Sequence, residues 1–87
     1  MSEPVVPYWF RMRQGEAEAA APNTLRLTAP NQGESFISIE RQENGQYAAI
    51  LRAGAEGPEI ARSIELYGSE DDAWGAAFEL YRTQVVV

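Results

Sequence analysis

Along most of the chain apolar residues alternate with polar ones, and only near its end does the spacing change to about 3.6 residues, the signature of an amphipathic helix. Residues 5–13, VVPYWFRMR, put Tyr8, Phe10 and Met12 on one side and Trp9, Arg11 and Arg13 on the other, which predicts a strand. Pro7 keeps the start of that strand at a sheet edge. Residues 14–23, rich in Ala and Glu and closing on Pro22-Asn23, predict a loop or one helical turn, since so short a run is marginal as a helix. Leu25 and Leu27 alternate with Arg26 in a short strand over 24–29, stopped by the turn residues Pro30-Asn31-Gln32-Gly33.

The β-rich runs 35–42 and 46–53 flank Glu43-Asn44-Gly45, and Asn-Gly between such runs predicts a two-residue hairpin turn. That turn would set Ile39 opposite Ile50, Arg41 opposite Ala48 and Ile37 opposite Arg52, with Phe36, Ser38, Glu40, Tyr47, Ala49 and Leu51 on the other side. A loop over 54–59 leads to residues 60–67, where Ile60, Ile64 and Leu66 alternate against Ala61, Ser63 and Glu65 as a half-buried strand. Ser69 followed by Asp72 is a capping pattern, and Glu70, Asp71 and Asp72 complement the helix dipole. The helix predicted over 70–83 carries the apolar stripe Ala73, Trp74, Ala77, Phe78 and Tyr81, with Asp72, Gly75, Glu79 and Arg82 opposite.

These elements predict a single α+β domain over residues 1–87: a small, mostly antiparallel sheet of four to five strands with the C-terminal amphipathic helix on one face. One helix covers one face, yet the hairpin and the Tyr8-Trp9-Phe10 run carry apolar groups on both. The second face is therefore expected to be covered by the 14–23 segment, by a second copy of the chain or by another protein.

Composition narrows the chemistry. The chain of 87 residues has no Cys and no His, so imidazole and thiolate catalysis and the usual zinc and iron–sulfur ligand sets are excluded. All seven basic residues are Arg, which removes Schiff-base lysine chemistry as well. With Ala and Gly abundant, that usage points to a GC-rich genome, bacterial or phage. No bilayer-length apolar run and no signal-peptide pattern occur, so a cytoplasmic location is expected.

Candidate functional residues are few. Glu70, Asp71 and Asp72 could take a hard cation, but their place at a helix start explains them without one, and no cofactor or metal is expected. Glu40 with Glu43, or Glu56 with Glu59, could form an acid/base pair only inside a cleft, so no catalytic role is expected. Tyr8, Trp9 and Arg11 are the residue types that dominate interface hot spots. Tyr47 and the acidic triplet complete the expected partner-binding set.

Tyr47, Ile50, Arg52, the third strand and Ser69-x-x-Asp72-Ala73-Trp74 resemble the three-strand-plus-helix layout of plant AP2 domains and phage integrase N-terminal domains. That resemblance, over less than half the chain, implies DNA reading by basic side chains on the sheet. Here only Arg41, Arg52 and Arg62 are available, among many acids. The net charge of −6 suggests the opposite partner, a protein presenting a basic surface, with the chain as an inhibitor or regulator of a nucleic-acid-handling protein of the kind phages make. Self-association as a homodimer, single-strand nucleic-acid binding through Tyr47, Trp9 and the sheet arginines, and a carboxylate-based enzyme are the alternatives.

Overall fold

Five antiparallel strands lie in chain order across one open sheet: β1 (Glu16–Ala21), β2 (Thr24–Ala29), β3 (Gly33–Arg41), β4 (Tyr47–Arg52) and β5 (Glu59–Arg62). A short helix α1 (Tyr8–Met12) precedes the sheet, and helix α2 (Glu70–Tyr81) follows it and packs on β3 and β4. The computed structural model describes residues 6–21, 23–30, 33–54 and 57–86. Expectations that rest on Val5, Pro22, Asn31, Gln32, Ala55, Glu56 and Val87 lie outside those residues.

Helix α2 forms on its capping residue and apolar stripe. The Ser69 hydroxyl accepts the Asp72 N–H at 3.2 Å, and Ala73, Trp74, Ala77, Phe78 and Tyr81 are all buried. Beyond Tyr81 the coil widens into a π-helical segment (Arg82–Val86). The core lies between α2 and the sheet face bearing Leu25, Leu27, Ile37, Ile39, Ala49 and Leu51.

The N-terminal segment departs from the expected strand and loop. Tyr8 to Met12 form a helical turn, not a strand, and the Ala/Glu run expected as a loop is β1. Tertiary pairing explains the exchange. The Phe10 ring packs 5.6 Å from Phe78 and 5.5 Å from Tyr81. The turn then stops where Gln14, at φ 60°, lets its own N–H reach the Arg11 carbonyl and the Gly15 N–H reach that of Phe10. A Cβ on Gly15 would come within 2.5 Å of the Phe10 ring, so glycine is required there. The chain is thus delivered to the β2 edge, where backbone pairing and the Glu18–Arg26 ion pair make a strand of residues with little β preference.

The hairpin register is also one residue away from the expected one: Ile37 faces Leu51, Ser38 faces Ile50 and Ile39 faces Ala49. A two-residue turn would need positive φ at both Asn44 and Gly45, and only Gly45 has it, at 84°. The loop holds three residues instead, closed by Gly45 N–H to the Gln42 carbonyl, while the Asn44 side chain accepts the Gln46 N–H at 3.0 Å. One residue of slip moves every β4 side chain to the opposite face, which gathers Ala49 and Leu51 under α2 with Ile37 and Ile39.

The second sheet face needs no outside cover. Phe36, Ala48 and Ile50 are buried on it within the monomer. The pairing places Phe36 between Arg26 and Arg52, and Ile50 between Ser38 and Arg62, so aliphatic arginine stems adjoin the apolar strip. Of the 14–23 segment, one of the expected covers, Glu16–Ala21 extend the sheet as β1.

Candidate functional site

The edge formed by β5 departs most from the alternation. Arg52 pairs with Glu59 while Leu51 pairs with Ala61, so Ile60 is an extra residue in a bulge and the inward positions pass to Ala61 and Ser63. Ile60, Ile64 and Leu66, expected to be half-buried, are consequently exposed: Ile60 at 52%, Leu66 at 40% and Ile64 entirely. The sequence carried a signal for this. Arg62 shares the parity of Ile60, Ile64 and Leu66, so a strand burying that side would bury a guanidinium between isoleucines.

Past Arg62 the chain peels away from β4 around one hydroxyl. The Ser63 N–H donates to the Ala49 carbonyl at 2.8 Å; its Oγ accepts the Ala49 N–H at 3.0 Å and donates to the Glu65 carbonyl at 2.8 Å. Pairing resumes at Tyr67, which exchanges both backbone bonds with Tyr47 at 2.8 Å. Residues 64–66 are thereby held off the sheet. Between them and α2 opens a mainly apolar cleft of about 520 Å³ lined by Ile64, Tyr67, Ala76, Leu80 and Thr83.

Charges of both signs rim this cleft: Glu65, Glu79 and Arg62 stand among its lining residues. Glu79 is held by Arg82 at 2.8 Å, and Arg62 is shared by Glu59 at 3.0 Å and Glu40 at 3.7 Å. The hydrogen bond from Arg62 keeps the Glu59 carboxyl below its usual range and raises the guanidinium in turn. Among the described residues Glu65, Glu70, Asp71 and Asp72 have no ion-pair partner, and no group of three or more carboxylates is arranged to hold a metal ion. Glu40 is exposed and engages Gln42 and Arg62, and Glu43 is exposed, so these two form no enclosed acid/base pair; Glu56 lies outside the described residues.

The structure divides the residues singled out from sequence into two sets. Tyr8, Trp9 and Arg11 lie on α1 beside the C-terminal end of α2: Trp9 is half-buried and stacks on Tyr81 at 6.5 Å, whereas Tyr8 is 75% exposed and Arg11 exposed. Tyr47, half-buried beside Tyr67, and the Glu70-Asp71-Asp72 triplet belong to the other end, roughly 16 Å away along the helix axis. Residues 64–66 and Leu80 form a third group, at the cleft, and sequence reasoning missed them as a site. The sheet arginines are largely engaged: Arg26 by Glu18 and Glu34, Arg62 by Glu59 and Glu40, and Arg52 on the Gly57 carbonyl. A phosphate would have to displace a carboxylate from the first two.

No protein-family model, no curated protein and no solved structure matches this chain. No described helix is long and apolar enough to cross a membrane.

Proposed function

We propose that this is a small protein-binding module that acts by docking rather than by catalysis, with the cleft between residues 63–67 and α2 as its docking face. The observation supporting it is the concentration of exposed aliphatic chains, Ile60, Ile64 and Leu66, along one edge beside an apolar cleft. The acidic balance supports a partner with a basic surface, such as a protein that handles nucleic acid, which the module would inhibit or regulate by covering that surface.

A tagged pull-down with and without nuclease, run beside Ile64→Asp, tests the reading. Capture of a stoichiometric protein that survives nuclease and is lost with Ile64→Asp is the expected result. Ile64 is fully exposed, so this substitution leaves the fold intact. Recovery of nucleic acid alone, or a partner retained equally by Ile64→Asp, would overturn it.

A further inference from the structure

We infer that two copies of this chain exchange their α1 segments, each α1 seating on the α2 of the other copy in a two-fold dimer. The inference does not rest on the docking reading, because α1 and the cleft occupy different flanks of α2.

The α1 segment is attached in a way that lets it leave. Among the described residues every backbone hydrogen bond of residues 7–15 closes within that segment, and no ion pair joins it to the rest of the molecule. Side-chain burial alone holds it: Phe10 is fully enclosed against Phe78 and Tyr81, and Trp9 stacks on Tyr81. Such a segment lifts away as a unit without breaking a strand pair or a turn of α2. Lifting it uncovers the ring of Tyr81, whose buried hydroxyl has no partner in the closed form and gains one from water.

The hinge supplies the bias toward a second copy. Gln14 stands at φ 60°, where a side chain with a Cβ is strained, and unlike Asn23 at φ 59° it is not of the type that tolerates the left-handed region. The closed form needs that angle, since it lets the Gln14 N–H meet the Arg11 carbonyl and the Gly15 N–H meet that of Phe10. Relief comes only if Gln14 extends, which carries α1 away from its own seat. The seat of another copy offers Phe10 and Trp9 the same contacts, so exchange keeps the burial and releases the strain once in each chain. β1 is the edge strand of the sheet, with nothing paired beyond it. Extended hinges from two copies therefore run antiparallel as continuations of their β1 strands, and their freed amides pair with each other. Exchange at this edge leaves the cleft beside α2 open in both copies, so the dimer presents two of them.

The intact chain is held at about 1 mM through mild warming, cooled, and read by size-exclusion chromatography with light scattering, beside Gln14→Gly and Gln14→Val. Glycine adopts the hinge angle freely and should weaken the dimer at least about tenfold. Valine is β-branched, resists that angle and should strengthen the dimer by about the same factor, because each dimer relaxes two hinges. In dimers made from isotope-labelled and unlabelled chains, filtered nuclear Overhauser spectra should place Phe10 of one copy against Phe78 and Tyr81 of the other. Wild type and Gln14→Val that both stay monomeric, a dimer indifferent to residue 14, or Phe10–Phe78 contacts found only within one copy would each overturn the inference. Should Gln14→Val fail to fold, the wild type against Gln14→Gly and the filtered spectra decide it.

Discussion

The two flanks of α2 are built from similar residues and end in opposite states. On one flank α1 folds back and seals the helix: Phe10 meets Tyr81 edge-on and Phe78 at a tilt, and Trp9 stacks on Tyr81. On the other flank Leu80 and Ala76 face a chain held off the sheet by the Ser63 hydroxyl, and the gap stays open. The difference lies in how each segment satisfies its backbone. The α1 turn closes its own hydrogen bonds within residues 7–15 and is free to move its rings onto the core. Residues 63–66 must keep Ala49 paired, and a side-chain oxygen that does so leaves the segment arched outward.

Truncation should separate the flanks most strongly. Phe10→Ala is expected to cost about 3–5 kcal/mol in a urea melt, a large part of the stability of a domain this small, whereas Ile64→Ala should stay within about 0.5 kcal/mol. Equal effects would mean that the open flank is packed in solution. Gly15→Ala attacks the sealed flank from the backbone side: its Cβ would overlap the Phe10 ring, and a loss of about 1–3 kcal/mol is expected, with the near-ultraviolet aromatic signal reduced.

Ser63→Ala probes the open flank. It leaves the Ala49 N–H without its oxygen and should cost about 1–2 kcal/mol, with faster hydrogen exchange at Ala49 while the α1 amides are unaffected. Tyr81→Phe should have a small effect of opposite sign. The Tyr81 hydroxyl is buried with no hydrogen-bond partner, so its removal is expected to be neutral or to stabilise by up to about 1 kcal/mol. Burial raises the Tyr81 pKa against the opposing pull of Arg13. The folded state therefore favours the neutral phenol, and this contribution is lost as pH rises past the unfolded-state value toward the raised one.

The smallest effect belongs to Glu59. Its pKa is lowered in the fold by Arg62, so its contribution is present above the ordinary carboxylate pKa and is lost as pH falls through the lowered value. Urea midpoints of the wild type and Arg62→Met followed into acid should converge there, and added salt should shrink the difference at neutral pH.

What could be read from the chain depended on how local the deciding interaction was. The capping pair Ser69 and Asp72 with the stripe through Tyr81 defined α2, because both act within one or two turns. Leu25 and Leu27 marked β2 for the same reason, and the α+β class followed from the order of the elements. At Asn44-Gly45 the motif located the turn but not its length, and the choice between two and three loop residues lay with the packing of Ile37, Ile39, Ala49 and Leu51 under α2.

Tertiary structure alone decided the two ends of the sheet. Neither the helical turn at Tyr8 nor the strand at Glu16 follows from residue preference; the first exists because Phe10 reaches Phe78 and Tyr81, the second because β2 offers an edge. The cleft arises from a bulge at Ile60 and a bridge at Ser63, both pairing events with residues on a neighbouring strand rather than within the same one. The sequence by itself determined the helix, its acidic cap, the strands of strongest alternation and the absence of His and Cys chemistry, since these are properties of neighbouring residues or of composition. Register, edge and cleft needed the folded chain, because a one-residue shift in pairing exchanges buried for exposed and no local pattern records which partner will be met.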